Sequence, residues 1–122
     1  MEKKNIDWSS LGFGYVQTDK RFVANFKDGA WEEGGLTDQA NIVMNECAGV
    51  LQYAQTCFEG MKAYTTEDGK IVCFRPDLNA QRMADSCRRL VMPVYPEDKF
   101  IEAVEKVVKA GDMEICYDGQ FH

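Results

Sequence analysis

The sequence predicts an α+β fold in which a mainly antiparallel sheet of about five strands precedes two C-terminal helices packed on one face. Short apolar segments separated by turn-forming residues occupy the chain as far as Arg75. After Pro76, two segments carry apolar side chains at the three-and-four spacing of amphipathic helices. The 122 residues suffice for one modest core, so we expect a single domain.

The first predicted strands lie between residues 22 and 44. Residues 22–26 have the apolar and aromatic content of a strand, and Lys27-Asp28-Gly29 supplies a turn into a returning strand at Trp31. Residues 32–38 are rich in glycine and acidic side chains, which predicts a loop. Residues 40–44 are predicted as another short strand, and residues 45–49 as either a helical turn or a bend.

A β-hairpin is predicted from Leu51 to Phe74 around a turn at Glu67-Asp68-Gly69. Strand alternation over residues 57–64 places two sets of side chains on opposite faces. One set contains Cys57, Glu59, Met61 and Ala63, and the other contains Phe58, Gly60, Lys62 and Tyr64. The second set combines rings, a glycine and a cation, which is typical of a pocket wall rather than of a core.

Two helices follow the hairpin. Pro76 stands at the strand-to-helix junction, where its fixed φ and missing N–H cost least, and such a junction is suited to holding an anion. The first helix has a predicted buried stripe of Ala80, Met83, Ala84, Cys87, Leu90 and Val91, and Met92-Pro93 ends it. The second helix, ending near Ala110, has the stripe Phe100, Ile101, Val104, Val107 and Val108.

Charge and hydropathy exclude two classes of partner. The formal net charge is −6, and the acidic residues are spread along the chain, which argues against binding to a nucleic acid backbone. No apolar run approaches the ~20 residues that a membrane-spanning helix needs, and no signal-peptide core follows Met1. We therefore expect a cytoplasmic protein with no membrane partner.

The cysteines form no closely spaced pair, and their odd number prevents complete pairing within the chain. In a cytoplasmic protein they are expected to be reduced and mostly buried, as small apolar side chains; they are Cys47, Cys57, Cys73, Cys87 and Cys116. The only histidine is His122. No metal site is therefore predicted, because a zinc site would need nearby partners that the sequence does not supply.

Two groups of residues carry a family resemblance. They are Phe58-Glu59-Gly60-Met61-Lys62-Ala63-Tyr64, and Phe74-Arg75-Pro76-Asp77 continued by Asn79-Ala80-Gln81-Arg82-Met83. Together they resemble the small, N-terminal domain of the branched-chain amino acid aminotransferases, pyridoxal-phosphate enzymes of fold type IV. The resemblance runs from Phe13-Gly14 to near Ala110. It implies a class IV small domain over residues 1–110. Residues 111–122 form a tail that departs from the family, and a truncation or an altered reading frame is one explanation for it.

The resemblance also implies site residues. Arg82 matches the arginine that reaches the cofactor phosphate, and its planar, permanently charged guanidinium suits phosphate oxygens. The alternative is a solvated helix arginine. Phe13, Tyr53 and Phe58 match aromatic residues that line the pocket for a branched aliphatic side chain, with core packing as the alternative. Gly60 would allow a close approach of backbone and ligand, although a bulge glycine is nearly as well supported.

The family's catalytic lysine, which forms the Schiff base with pyridoxal 5′-phosphate, lies in a large second domain expected to follow this sequence. Lys62 matches a position that is not the nucleophile and is interpreted as a solvent-facing strand lysine. The full enzyme would transfer an amino group between leucine, isoleucine or valine and 2-oxoglutarate, as a homodimer. This chain alone is expected to be inactive and, because its partner surfaces would be exposed, to self-associate or to have limited stability.

Two alternatives remain open. The chain could be a free-standing binding or interaction module without a cofactor. It could also be the small domain of a related D-amino acid aminotransferase or aminodeoxychorismate lyase. Phe74-Arg75-Pro76 with Asn79 and Arg82 fits the branched-chain group better.

Overall fold

The computed structural model describes residues 9, 12 and 14–110. The α+β class is confirmed, with antiparallel strands followed by two packed helices. The elements are β1 Arg21–Val23, β2 Phe26–Lys27, β3 Ala30–Trp31, β4 Gly35–Thr37, α1 Gly49–Tyr53, β5 Ala63–Thr65, β6 Ile71–Cys73, α2 Pro76–Arg89 and α3 Glu97–Ala110. The strands form three antiparallel pairs, β1–β4, β2–β3 and β5–β6, instead of one sheet of about five strands.

Both predicted hairpin turns are confirmed. Asp28 and Gly29 connect β2 to β3 with φ angles of 52° and 81°, the positive pair that a tight two-residue hairpin loop requires. In the β5–β6 loop Gly69 has a φ of 83°, and the Gly69 N–H donates to the Thr66 carbonyl oxygen at 2.9 Å. Glycine is favoured there because a Cβ would disfavour the left-handed conformation.

Small side chains bring α2 close to its neighbours. Ala80 and Ala84 are 2% and 1% exposed, and Cys87 is buried on the same face, as the three-and-four spacing predicts. α2 also packs against α3. Trp31 fastens the β2–β3 hairpin to the connection between these helices, because its indole N–H donates to the Val94 carbonyl oxygen at 2.8 Å.

An open apolar cleft of about 570 Å³ lies between the strands and the two long helices. Its lining includes Phe22 of β1, Met83 and Cys87 of α2, and Phe100 and Val104 of α3. Within the described residues, no large side chain is less than 2% exposed. The interior formed by the described residues is thus loosely filled.

The loop predicted over residues 32–38 is wrong in part, because β4 pairs with β1 there, with Leu36 opposite Phe22. Gly34 makes this pairing possible. Its φ is 80°, and a Cβ at that position would lie 2.8 Å from the Phe22 ring and from the Ala24 side chain. The glycine that suggested a loop is therefore the residue that lets two strands approach each other.

The strand predicted over residues 40–44 is also wrong: these residues are exposed and lie outside every strand of the described chain. The hairpin does not begin at Leu51, which lies in the short helix α1, and only its end forms the ladder β5–β6. Periodicity indicates an extended segment but not whether a partner strand lies beside it, and this explains both errors.

The first helix ends earlier than predicted. α2 stops at Arg89, and Leu90 and Val91 are exposed rather than part of the buried stripe. Val91 has a φ of 55°, its N–H donates to the Arg88 carbonyl oxygen at 3.2 Å, and the Met92 N–H donates to the Cys87 carbonyl oxygen at 2.8 Å. This is a Schellman-type end, which turns the chain before Pro93 is reached.

The expectation of mostly buried cysteines holds only in part. Of the four described cysteines, Cys87 is buried, Cys57 and Cys73 are half-buried, and Cys47 is exposed in the loop before α1. Cys116 and His122 lie outside the described residues, as does the whole 111–122 tail. No described helix is both long and apolar enough to cross a membrane.

Candidate functional site

Residues 55–60, which we call the docked segment, run antiparallel to α2. The Gln55 side-chain amide donates to the Leu90 carbonyl oxygen at 2.8 Å, at the end of the helix. Five residues further along the segment, the Gly60 carbonyl oxygen accepts from the Asn79 side chain, near the start of the helix, at 2.9 Å. Within the described chain the segment belongs to no strand pair, so side-chain contacts to α2 take the place of a ladder.

Exposure alternates along the docked segment as the sequence predicts. Cys57 and Glu59 are partly buried toward α2, whereas Phe58 and Gly60 are exposed. The same alternation continues into β5, where Ala63 is buried. Packing against a helix therefore buries alternate side chains of an extended segment, as packing against a sheet would.

Arg82 and Asn79 both bind Glu59. The Arg82 Nε donates to Glu59 Oε1 at 3.0 Å and its Nη2 donates to Glu59 Oε2 at 2.9 Å, which makes a bidentate pair. The Asn79 Nδ2 donates to Glu59 Oε2 at 2.9 Å as well as to Gly60. Asn79 and Arg82 lie three residues apart on α2 and so share one face of the helix. We call these three side chains the Glu59 cluster.

The members of the Glu59 cluster differ in solvent exposure. Asn79 is 6% exposed and the Glu59 side chain 13%, whereas the Arg82 side chain is 56% exposed. Two of the five guanidinium N–H groups serve Glu59. Arg82 therefore presents a fixed, half-exposed cation that retains donors beyond its ion pair.

The cluster shifts the pKa of its members. The hydrogen bond from Arg82 lowers the pKa of the Glu59 carboxyl below its ordinary value, partial burial opposes this, and the Asn79 amide adds to the lowering. The bond to Glu59 in turn raises the pKa of Arg82. Both groups are therefore charged at neutral pH, and the pair carries no net charge.

We expect the contribution of Glu59 to stability to disappear in acid. Because its pKa is lowered on folding, the contribution is complete above the ordinary carboxyl pKa of 4.5 and is lost as the pH falls through the lower folded value. Urea unfolding of the chain and of Glu59→Gln at a series of pH values measures it. The stability difference between the two should shrink below pH 4.5.

Glu67→Gln is the matched control, since Glu67 is exposed in the β5–β6 turn. A difference between the chain and Glu59→Gln that stays constant down to acid would contradict the ion pair as the source of the effect.

The start of α2 is already complemented by a side chain, contrary to the expectation of an open anion site at the junction. Asp77 lies in the first turn and accepts two hydrogen bonds from Arg75, at 2.9 and 2.7 Å. Arg82 lies about a turn further along the helix, so only its side chain, and not the helix N-terminus, is placed to contact an anion there. Arg88 pairs with Asp85 at 2.8 Å, so Arg75 and Arg88 are both engaged in ion pairs with neighbouring carboxylates.

The predicted pocket residues are partly brought together. Gly60 and Arg82 are linked by hydrogen bonds: Asn79 donates to the Gly60 carbonyl oxygen and to Glu59, and Glu59 also accepts from Arg82. Tyr53 ends α1 with 86% of its surface exposed, and Phe58 is 89% exposed. Neither ring is in the core, which removes the core-packing alternative for both. Phe13 lies outside the described residues.

Neither Glu59 nor Asn79 has a role that the sequence alone predicts. The signal for Asn79 was present, since it stands three residues before Arg82 and thus on the same helix face. No local pattern points to Glu59, which reaches the helix from 23 residues away. Among the described residues, no group of three His, Cys, Asp or Glu side chains is placed to hold a metal ion.

Comparison with known proteins confirms the family resemblance. The chain is 49% identical over 107 residues to a branched-chain-amino-acid aminotransferase of Haemophilus influenzae, covering 88% of this chain and 31% of the relative. It is 46% identical to the enzyme of the same description from Helicobacter pylori, over 88% of the chain and 32% of the relative. A methionine aminotransferase of Arabidopsis thaliana is 43% identical over 87% of the chain and 30% of its own length. No protein-family model matches.

The chain thus spans about a third of the length of the curated relatives it matches. What is shared is a part of these aminotransferases, and that part includes most of the residues described above.

Proposed function

We propose that this chain, which is homologous to part of the branched-chain-amino-acid aminotransferases, acts as the small domain of such an enzyme. In this role Arg82 binds the phosphate of pyridoxal 5′-phosphate, and the docked segment forms one wall of the substrate pocket. The observation that carries the proposal is the Glu59 cluster, which holds a half-exposed guanidinium in one orientation on a homologous scaffold.

The cluster fits a phosphate group. A guanidinium already ordered by Glu59 loses little side-chain entropy when it binds a second anion, and its remaining N–H groups match phosphate oxygens. Glu59 also offsets the charge of Arg82, so hydrogen bonding rather than net charge would dominate the contact. When bound, the cofactor supplies the electron sink on which amino-group transfer depends.

The exposed rings fit an apolar substrate. Tyr53 precedes the docked segment and Phe58 lies within it, and their exposure leaves both rings available to a ligand. Burial of about 0.8 kcal/mol per methylene would favour leucine, isoleucine or valine over smaller amino acids. The relative described as a methionine aminotransferase supports an apolar side chain as the common feature. Phe13 is proposed to complete the same wall.

Gly60→Ala tests the wall. A Cβ at Gly60 would meet no atom within 4 Å, and Gly60 is not among the glycines with positive φ. The bulge alternative thus has no support, and the substitution should leave the stability of this chain unchanged or raise it by about 0.4–1 kcal/mol. In an assembled enzyme the added methyl group should raise the KM for leucine.

The control for this prediction is Gly34→Ala, which should destabilise the chain because of the contacts described for β4. A large loss of stability in Gly60→Ala would show instead that the glycine serves the local fold.

The proposed domain works only with a second lobe. We propose no lysine of this chain as the nucleophile. Lys62, which lies within the family-like motif, is exposed just before β5. The reactive amine would come from the large domain, and the exposed apolar residues, Tyr53, Phe58 and Phe74 among them, would pack against that domain or a second subunit. Alone, the chain should neither transfer amino groups nor retain the cofactor.

A chimera tests the proposed function. This chain replaces the homologous third of the Haemophilus influenzae relative, and amino transfer from leucine to 2-oxoglutarate is assayed. We expect an active chimera and an inactive isolated chain. A folded chimera that binds pyridoxal 5′-phosphate but transfers no amino group would contradict the proposal, and would favour a free-standing binding module.

A further inference from the structure

Three sulfur atoms lie close together where the middle of the docked segment packs against α2. The Cys57 Sγ lies 3.3 Å from the Met83 Sδ and 3.8 Å from the Cys87 Sγ. Met83 and Cys87 are four residues apart on the same face of α2, and Cys57 arrives from 30 residues away in sequence. The contact of Cys57 with these two residues is therefore produced by the tertiary fold and not by spacing along the sequence.

We propose that Cys57 and Cys87 are a site of reversible oxidation, at which peroxide converts the two thiols to a disulfide that fastens the docked segment to α2. The sulfur atoms are in van der Waals contact, and bond formation requires them to approach by about 1.8 Å. Cys57 is attached to a segment without a strand ladder, so it can make this movement without breaking a sheet.

The two thiols differ in access, and this difference sets the order of events. Cys57 is partly exposed and is the thiol that peroxide reaches, whereas Cys87 is buried. Burial raises the pKa of the Cys87 thiol, and the neighbouring Cys57 thiol adds to the rise, so Cys87 suits the resolving role better than the first attack.

The step balances with peroxide as the oxidant. The Cys57 thiol loses its proton, and the thiolate attacks one oxygen of peroxide. The O–O bond breaks and the departing hydroxide takes up that proton, which leaves a sulfenic acid and one water. The Cys87 sulfur then attacks the Cys57 sulfur, the S–S bond forms, and the hydroxyl group leaves as a second water with the Cys87 proton. Two thiols are oxidised by two electrons and one peroxide is reduced to two waters. A dithiol reductant reverses the step by exchange.

The disulfide would act directly on the Glu59 cluster. Cys57 lies two residues before Glu59, and Cys87 lies five residues after Arg82 on the same helix. Cross-linking them limits how far Glu59 moves from Arg82, so the oxidised chain holds the guanidinium more rigidly. The proposal concerns this chain alone and stands whether or not the aminotransferase assignment is correct.

Peptide mapping of the peroxide-treated full chain tests the proposal. Trypsin should release the peptide that ends at Lys62, which contains Cys57, joined to the peptide Met83–Arg88, which contains Cys87. The joined species should disappear with dithiothreitol and be absent from Cys57→Ser and Cys87→Ser. It should persist in Cys47→Ser, which is needed because Cys47 lies in the same tryptic peptide as Cys57.

Cys73→Ser is the further control and should form the same linkage. If Cys87→Ser fails to fold because that residue is buried, Cys57→Ser still decides the question. The proposal is overturned if peroxide leaves both thiols open to alkylation, or if Cys57 is found linked to another cysteine of the chain or of a second copy.

Discussion

Replacing Arg82 by alanine in the chimera is expected to weaken the binding of pyridoxal 5′-phosphate roughly ten- to a hundredfold, the worth of one or two charge-assisted hydrogen bonds. The substitution also uncovers the Glu59 carboxylate, which has 13% of its side chain exposed and would then repel the phosphate. Equilibrium dialysis or cofactor fluorescence measures the change. Arg82→Lys should recover part of the affinity, since it restores the charge but not the fork.

Arg89→Ala is the matched control, because Arg89 is an exposed arginine in the last turn of the same helix. Its cofactor affinity should equal that of the parent chimera. Equal losses in Arg82→Ala and Arg89→Ala would mean that both act through general charge, and no loss in either would remove Arg82 from the cofactor site.

Asn79→Ala is expected to destabilise this chain by about 2–3 kcal/mol. The buried amide donates to both Glu59 and Gly60, so its removal leaves a carboxylate oxygen and a backbone carbonyl without their partner and detaches the docked segment from α2. Urea unfolding gives the difference in free energy. Asn79→Asp should cost more at neutral pH, since it places a second carboxylate against Glu59.

Gln81→Ala is the comparison for Asn79, because Gln81 lies on the exposed side of the same helix turn. It should change the free energy of unfolding by less than about 0.5 kcal/mol. Similar costs for the two substitutions would contradict the view that Asn79 organises the segment.

Features of the fold that depend on local chemistry are predictable from the sequence. The stripe of Ala80, Ala84 and Cys87 with Pro76 ahead of it was sufficient to place α2, and Asp28-Gly29 was sufficient to place a hairpin turn. Each of these signals acts within a few residues, where backbone conformation and side-chain spacing decide the outcome.

Features that depend on distant partners were missed. The β1–β4 pairing and the docking of residues 55–60 on α2 arise from contacts between segments that no local pattern connects. The candidate site shows the same division between features set by local sequence and features set by distant contacts. Arg82 and Gly60 are proposed as site residues from short motifs, whereas the ion pair of Glu59 with Arg82 and the contact between Cys57 and Cys87 are visible only in three dimensions.

A crystal structure of the chimera with pyridoxal 5′-phosphate tests the central claim most directly, through the distances between the Arg82 nitrogens and the phosphate oxygens. We expect at least one Arg82 N–H to lie within about 3 Å of a phosphate oxygen, with Glu59 still on the other side of the guanidinium. A phosphate held entirely by other residues, with Arg82 beyond hydrogen-bonding reach, would contradict the account.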